Sequence, residues 1–293
     1  MADVSLVKQL IEGGVHFGHM ASNLNPKMKP YIFGKKNGIH IIDVRQTVKG
    51  LILAKRFLTR VVAQGKDVLF VGTKRQAAPA IEARAKEANM PYVTERWLGG
   101  TLTNFRTIRS RLKRLDELET LFKSPEWASY SKKMASQLTR EHKKIHTNLS
   151  GIRSLASLPG ALVVVDVKKE VNALREAKIL GIPSICIIDT DSDPELVSIP
   201  IPGNDDAMRA IDLILGEMVA SVSEGKSSRA QLELERKAAK EIADGGEAQR
   251  RRSTRAMFKA EDETAAGAKP EAAIETVETP AAEKPAVEQA TND

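Results

Sequence analysis

The 293 residues hold 45 Lys and Arg against 38 Asp and Glu, and 42% of them are hydrophobic, enough to fill a core. Nine acids and three lysines fall in residues 259–293, so residues 1–258 carry +13 of a chain whose net charge is +7. A body that basic points to a polyanion, and 4% aromatic content favours structured RNA or duplex backbone over stacked single strands.

No run approaches the roughly 18 apolar residues of a membrane span, and Met1-Ala2-Asp3-Val4-Ser5 opens no basic-then-apolar leader. The single cysteine, Cys186, sits inside Ile185-Cys186-Ile187-Ile188 and has no intrachain partner, so it reads as a small buried side chain. The expectation is a soluble, reduced, cytoplasmic protein with no membrane partner.

In chain order, Asn25 to Gly38 interleaves cations, aromatics and turn residues without helical period, a loop that can hold lysines against a phosphate surface or serve as an ordinary basic loop. Gly38 to Asp43 and Tyr92 to Thr94 read as lesser strands, and His40 as a hydrogen-bonded histidine at a sheet surface. Val68 to Val71, Leu162 to Val165 and Ile185 to Ile188 are short apolar runs expected of strands buried on both faces of a parallel sheet. Helices are expected over Ala77 to Ala88, over Glu170 to Leu180 with a stop at Gly181-Ile182-Pro183, and over Asp205 to Val222. The fold class is α/β: a doubly wound, mostly parallel, flavodoxin- or Rossmann-like sheet.

Before the second half of that sheet lies an insertion over residues 105–155. Phe105, Ile108, Leu112, Leu115 and Phe122 form one apolar seam, thickened by Leu118 and Leu121. Met134, Leu138, Ile145, Leu149 and Ile152 form another after the break at Ser124-Pro125. Two such seams predict an antiparallel coiled-coil hairpin of two helices of about twenty residues, each roughly 30 Å long. Twelve cations against five acids leave it at +7, an excess of one sign suited to a polyanion rather than a merely solvated face. The domain reading is therefore 1–225 for the α/β body with its insertion, 226–258 for a charged, partly helical extension, and 259–293 for a disordered Ala/Glu/Pro-rich tail.

Two constellations offer chemistry. Gly72-Thr73-Lys74-Arg75 follows a strand, where backbone amides and a cation can receive a phosphate, yet neither G-x-x-x-x-G-K-[ST] nor G-x-G-x-x-G is present. An RNA phosphate or a plain turn suits the segment better than a nucleotide. Asp189, Asp191, Asp193, Asp205 and Asp206 fall at carboxyl ends of strands, which share one edge of a doubly wound sheet. They can converge there with His16 or His19 on a zinc or magnesium ion, with His19, Asp189 and Asp205 as the ligand set. The rival is that Asp193 and Asp205 cap helices while the others are solvated. No nucleophile or tuned acid marks an enzyme, and no cofactor is required.

Taken together, Gly14-Val15-His16-Phe17-Gly18-His19, Asn25-Pro26-Lys27-Met28, Gly38-Ile39-His40-Ile41-Ile42-Asp43, Phe70-Val71-Gly72-Thr73-Lys74-Arg75, Arg96-Trp97-Leu98-Gly99-Gly100-Thr101-Leu102-Thr103-Asn104, Leu180-Gly181-Ile182-Pro183 and Ile201-Pro202-Gly203-Asn204-Asp205-Asp206-Ala207 resemble, in order, the small-subunit ribosomal protein S-two family in its bacterial form. The resemblance spans residues 5 to about 225. It implies a structural protein of the 30S subunit, in the cytoplasmic ribosome, that contacts small-subunit rRNA near the head–body junction and docks ribosomal protein S-one. It implies no catalysis and no small-molecule substrate. Family members commonly carry Trp where this chain has Leu24, and the sequence after Gly225 matches no family motif. On this reading the RNA contacts are Lys27, Lys29, Lys35, Lys36, Lys74, Arg75, Arg96, Arg106, Arg109, Arg111, Lys113, Arg114, Lys143 and Lys144. Two rivals stand beside it: an α/β enzyme holding a phosphorylated metabolite at Gly72 to Arg75, and a scaffold whose coiled coil binds another helix.

Overall fold

The computed structural model describes residues 2–232. Along the chain run α1 (Ala2–Glu12), β1 (Phe17–Met20), β2 (Ile32–Lys36), β3 (Ile39–Ile42), α2 (Val44–Ala63), β4 (Val68–Val71), α3 (Ala78–Glu87) and β5 (Tyr92–Val93). Then come α4 (Phe105–Lys123), α5 (Lys132–Leu149), β6 (Ala161–Val165), α6 (Val171–Ile179), β7 (Ser184–Ile188), β8 (Ile199–Pro202) and a closing helix α7 over residues 208–232.

The strands divide into a five-stranded parallel sheet, in the order β5-β4-β6-β7-β8, and a three-stranded antiparallel sheet, β1-β3-β2. Burial explains the apolar runs of the parallel sheet. Val68 and Phe70 of β4 and Val163 and Val165 of β6 join one core cluster with α2, α3 and α7, while Leu69, Val71, Leu162 and Val164 join a second cluster on the other face with α6 and the roots of α4 and α5. Because successive side chains leave a strand on opposite faces, a strand covered on both sides has no polar position to spare. Cys186 is fully buried in the second cluster, and burial pushes its thiol pKa up. Gly181 follows α6 at φ 67°, the left-handed stop expected there.

The antiparallel sheet differs from the expectation of an irregular basic loop. Residues Pro26–Tyr31 form a 3-10 turn capped by Asn25, and Asn37-Gly38, at φ 51° and 79°, closes a β2–β3 hairpin. Both residues at positive φ make the tight turn whose twist matches the strands, for which Asn-Gly is the favoured pair. Leu24, the departure from the family pattern, packs against the second core cluster.

The long helix α2, capped by Asp43, buries Leu51, Ala54, Leu58, Val61 and Val62 along one stripe. At Gly50 it meets β8 so closely that a Cβ would lie 2.5 Å from the Pro200 carbonyl oxygen, so only glycine fits. Helix α7 is tied to α3 by Arg84, whose guanidinium donates to both carboxylate oxygens of Asp212 at 2.8 and 2.9 Å. It continues through Gly225, where the sequence reading put a boundary, and Lys226 donates to the carbonyls of Ala88 and Asn89. The extension beyond residue 232 and the tail over 259–293 lie outside the described residues.

Helices α4 and α5, of 19 and 18 residues, are joined by the 3-10 turn Pro125–Ser129. Pro125 cannot continue α4, and Ser131 restarts the helix by accepting the Met134 amide. Ile108, Leu112, Leu115 and Leu118 are buried along α4, matching its seam. On α5 the seam fades outward: Leu149 is buried, whereas Met134 is 46% exposed. No helix among the described residues is long and apolar enough to cross a membrane.

Candidate nucleic-acid interface and acidic cluster

The segment from Arg96 to Asn104 has no regular structure, so its backbone groups need partners elsewhere. Glu176 of α6 supplies them. Its Oε1 accepts from Trp97 Nε1 at 3.0 Å and the Gly100 amide at 2.8 Å, and its Oε2 from the amides of Leu102 and Thr103 at 3.0 and 3.2 Å. The Thr103 hydroxyl adds a fifth contact at 3.3 Å. Burial alone would raise the carboxyl pKa, but these donors outweigh it and hold Glu176 below the ordinary range. Trp97 and Leu102 then seat in the second core cluster beside Ile108 and Leu112, which roots α4 in the body.

Charge across the helical pair is sorted. Arg114 pairs with Glu141 at 3.4 Å and with Glu117 at 3.2 Å, and Arg153 pairs with Glu119 at 2.7 Å and with Asp116. Arg109 donates to the carbonyls of Leu155 and Ala156 at 3.0 and 3.2 Å, bracing the far end of the insertion. Near the outer turn, Phe122 lies edge-on to Trp127 and His142, with ring centroids 4.6 and 5.1 Å apart.

The fourteen cations expected to touch RNA fall into two groups. Lys29, Lys35, Lys36, Arg75, Arg96, Arg106, Arg111, Lys113, Lys143 and Lys144 are exposed, and their side chains have no ion pair or hydrogen bond among the described residues. Lys27, Lys74, Arg109 and Arg114 are engaged within the protein. Lys27 is exposed but reaches Asp193 at 2.9 Å, next to Glu195. Lys74 is buried: its ammonium lies 2.8 Å from Asp205, 2.5 Å from Asp206 and 3.8 Å from Asp166. Burial would lower its pKa, but the hydrogen bonds to Asp205 and Asp206 raise it. The Thr73 amide is likewise taken, donating to Glu170 at 2.8 Å. The turn that could have cradled a phosphate has thus turned its Thr73 amide and its Lys74 ammonium inward, leaving Arg75 exposed beside it.

The acids do converge at the carboxyl edge of the parallel sheet, with His19 among them. Its Nδ1 is 2.7 Å from Asp189 and its Nε2 is 3.5 Å from Asp206, while its backbone amide donates to Thr190 Oγ1. Gly18 allows this approach, since a Cβ there would lie 2.6 Å from the Thr190 methyl. One donor atom each from His19, Asp205 and Asp206 falls within 4.8 Å of the others. Asp189, fully buried, stands behind the ring and orients it, and its other oxygen accepts the Thr190 amide. His16 stacks on Phe17 instead, with centroids 4.1 Å apart. Asp193 caps a 3-10 turn, whereas Asn204, not Asp205, accepts the amides of Asp206 and Ala207.

The hydrogen bond to Asp189 lifts the His19 pKa to about 9 against the opposing effect of burial. Burial pushes Asp205 up to about 7 in spite of Lys74. One imidazole nitrogen and carboxylate oxygens are a donor set that zinc accepts, and a carboxylate hydrogen-bonded to the far ring nitrogen is the usual means of fixing such a ligand. An ion there would share its two carboxylates with the Lys74 ammonium.

The residue that sequence reasoning missed is Glu176. Its only sequence cue is an acid on the buried stripe of α6, one position before Ala177 and two after Leu174.

The family model described as ribosomal protein S2 matches residues 10–225. A protein of Rhodopirellula baltica named small ribosomal subunit protein uS2 is 56% identical over 221 residues, covering 75% of this chain and 85% of that one. One of the same name from Syntrophobacter fumaroxidans is 50% identical over 226 residues, covering 77% and 82%. On the matched span and on these identities, the chain belongs to the ribosomal protein S2 family.

Proposed function

We propose that this chain is a non-catalytic structural constituent of the small ribosomal subunit, in the cytoplasm, that binds small-subunit rRNA by backbone charge and shape near the head–body junction. The observation that carries the reading is the set of ten exposed cations without protein partners among the described residues, spread over the 3-10 turn at Lys29, β2, the turn after β4 at Arg75, the Arg96 loop and the helices α4 and α5. An exposed cation free of internal partners is available to release counterions from a phosphate backbone, which a paired one is not. The paired helices act as a coiled-coil arm that carries this charge away from the body, which spans residues 1–225. The metabolite-enzyme reading is disfavoured because Lys74 and the Thr73 amide are already occupied.

Sedimentation of a lysate through a sucrose gradient at low magnesium, with and without nuclease, tests the proposal. Migration with the small subunit that is lost on RNA digestion is expected. A position at the top of the gradient in both samples would refute it.

The same reading gives ribosomal protein S-one a docking place on the antiparallel sheet, where Phe17 and Met20 of β1 are 49% and 67% exposed and Ile39 opposite Met20 is 38% exposed. His19 lies between the first two, so a structural zinc or magnesium ion held by His19, Asp205 and Asp206, with Asp189 orienting the ring from behind rather than joining the ligand set, would stiffen the docking edge rather than perform chemistry. Treating subunits with a zinc-selective chelator at constant magnesium is expected to release S-one while leaving this chain in place. Full retention of S-one on subunits depleted of zinc would remove a zinc ion from the account.

A further inference from the structure

Helices α4 and α5 pack side by side, and Arg114 of the first reaches Glu141 of the second. Arg111 of α4 and Lys144 of α5 line the same cavity between the two helices. The cross-helix ion pair of Arg114 with Glu141 joins opposite signs. Arg111 and Lys144 set two cations against the one acid of that wall, Glu141, and the excess positive charge is stabilised when an anion enters from outside.

Between these cations lies a cavity of about 320 Å³, lined by Leu98, Arg111, Glu141, Lys144, Ile145, Asn148 and Leu149. Its size falls at the lower end of the range, roughly 300–1,000 Å³, in which proteins hold small ligands. Leu98, Ile145 and Leu149 supply an apolar floor. Asn148 stands on the same face of α5, four residues from Lys144, and donates through Nδ2 to the Lys144 carbonyl at 2.8 Å. That bond fixes the amide and leaves Oδ1 with no protein donor among the described residues. The acid on the wall, Glu141, is paired with Arg114, which it shares with Glu117.

We propose that this cavity receives a single unpaired nucleotide of the RNA. The base lies on the apolar floor, an N–H of its edge donates to Asn148 Oδ1, and its phosphate sits between Arg111 and Lys144. A partner's leucine would fill the floor but leave both cations and the amide oxygen unanswered. A phosphate alone would engage the cations and leave the floor wet. A nucleotide uses every group present, and unpaired, unstacked bases are the ones that proteins overwhelmingly read in RNA. The proposal rests on the RNA-binding reading above and adds a site that prefers an interrupted helix to a regular one.

The test is equilibrium binding of the full chain, over a range of salt, to an uninterrupted RNA duplex and to the same duplex with one bulged nucleotide, each of the four bases in turn. The bulged duplex is expected to bind at least about fivefold more tightly. Ile145→Phe, which fills the floor without changing charge, is expected to erase that preference while leaving duplex affinity and its salt slope alone. Asn148→Ala is expected to flatten discrimination among the four bases, with thermal melts confirming that both variants fold. If wild type binds both RNAs equally with a steep salt slope, the pocket is refuted and the RNA-binding reading stands. The pocket is equally refuted if folded Asn148→Ala and Ile145→Phe proteins retain the full preference. If neither RNA binds, the RNA-binding reading fails and takes the pocket with it.

Discussion

Replacing Glu176 with alanine is expected to lower the stability of the chain by about 2–6 kcal/mol, from two buried donors left unanswered at roughly 1–3 kcal/mol each. Trp97 Nε1 and the Leu102 amide are those donors, and the amides of Gly100 and Thr103 lose the same acceptor with more access to water. Glu176→Gln is expected to recover little, since the amide would turn a donor toward a group of donors. Urea unfolding at constant m-value measures the loss. Hydrogen exchange at residues 100–103 then separates a local loosening from a global one. The pH dependence follows from the depressed pKa of Glu176. A carboxyl held below its unfolded value, about 4.3, contributes stability that is fully present above that value and is lost as pH falls through the folded one. The gap between wild type and Glu176→Ala should therefore be constant from about pH 6 to 8 and shrink below about pH 4. A gap that stays constant down to pH 3, with both proteins still folded, would show that the carboxylate charge is not what holds the loop. Because Trp97 and Leu102 root α4 in the core, the same substitution should also weaken RNA association through the arm's placement, with its salt slope retained.

What could be read from the sequence, and what could not, divides along the same lines. β4, β6 and β7 were legible because burial on both faces leaves an uninterrupted apolar run, and the end of α6 because Gly181 must take a positive φ. The two helices of the insertion were legible because their seams are local. Glu176 was not, because a charged residue on a short helix looks solvated when its partners lie 73 to 79 residues earlier in the chain. Lys74 misleads for the same reason: a lysine beside an arginine in a turn looks like a surface cation, and its carboxylate partner Asp205 lies 131 residues away. The carboxyl edge of the sheet allowed the acids and a histidine to meet, beside the rival that they cap helices or are solvated. It could not say which carboxylate reaches which ring nitrogen, so Asp206 entered beside Asp205 while Asp189 took the far side of His19. The hairpin at Asn37-Gly38 carried a local signal, and reading Asn25 to Gly38 as one basic loop passed over it.

Neutralising Arg106, Lys113 and Lys143 together, each to glutamine, is expected to cost RNA affinity by roughly eightfold per lost phosphate contact at 0.1 M salt and to reduce the slope of log K against log salt by up to about 2.7. These three are chosen because all are exposed, lack internal partners, and stand apart from the pocket at Arg111 and Lys144. Arg114→Gln is the comparison. Its charge is answered by Glu117 and Glu141, so its loss should change the slope little while freeing two acids on the helix surface. The contrast decides between two readings of a cationic helical pair. If the charge serves mainly to keep an exposed pair of helices in solution, the triple variant and Arg114→Gln should bind RNA alike. If the unpaired cations meet phosphate, the triple variant alone flattens the salt dependence, and its unfolding midpoint stays near wild type because no internal bond has been removed. An unchanged slope in the triple variant would take the arm out of the RNA interface and leave the exposed lysines of β2 and the Arg96 loop to account for binding.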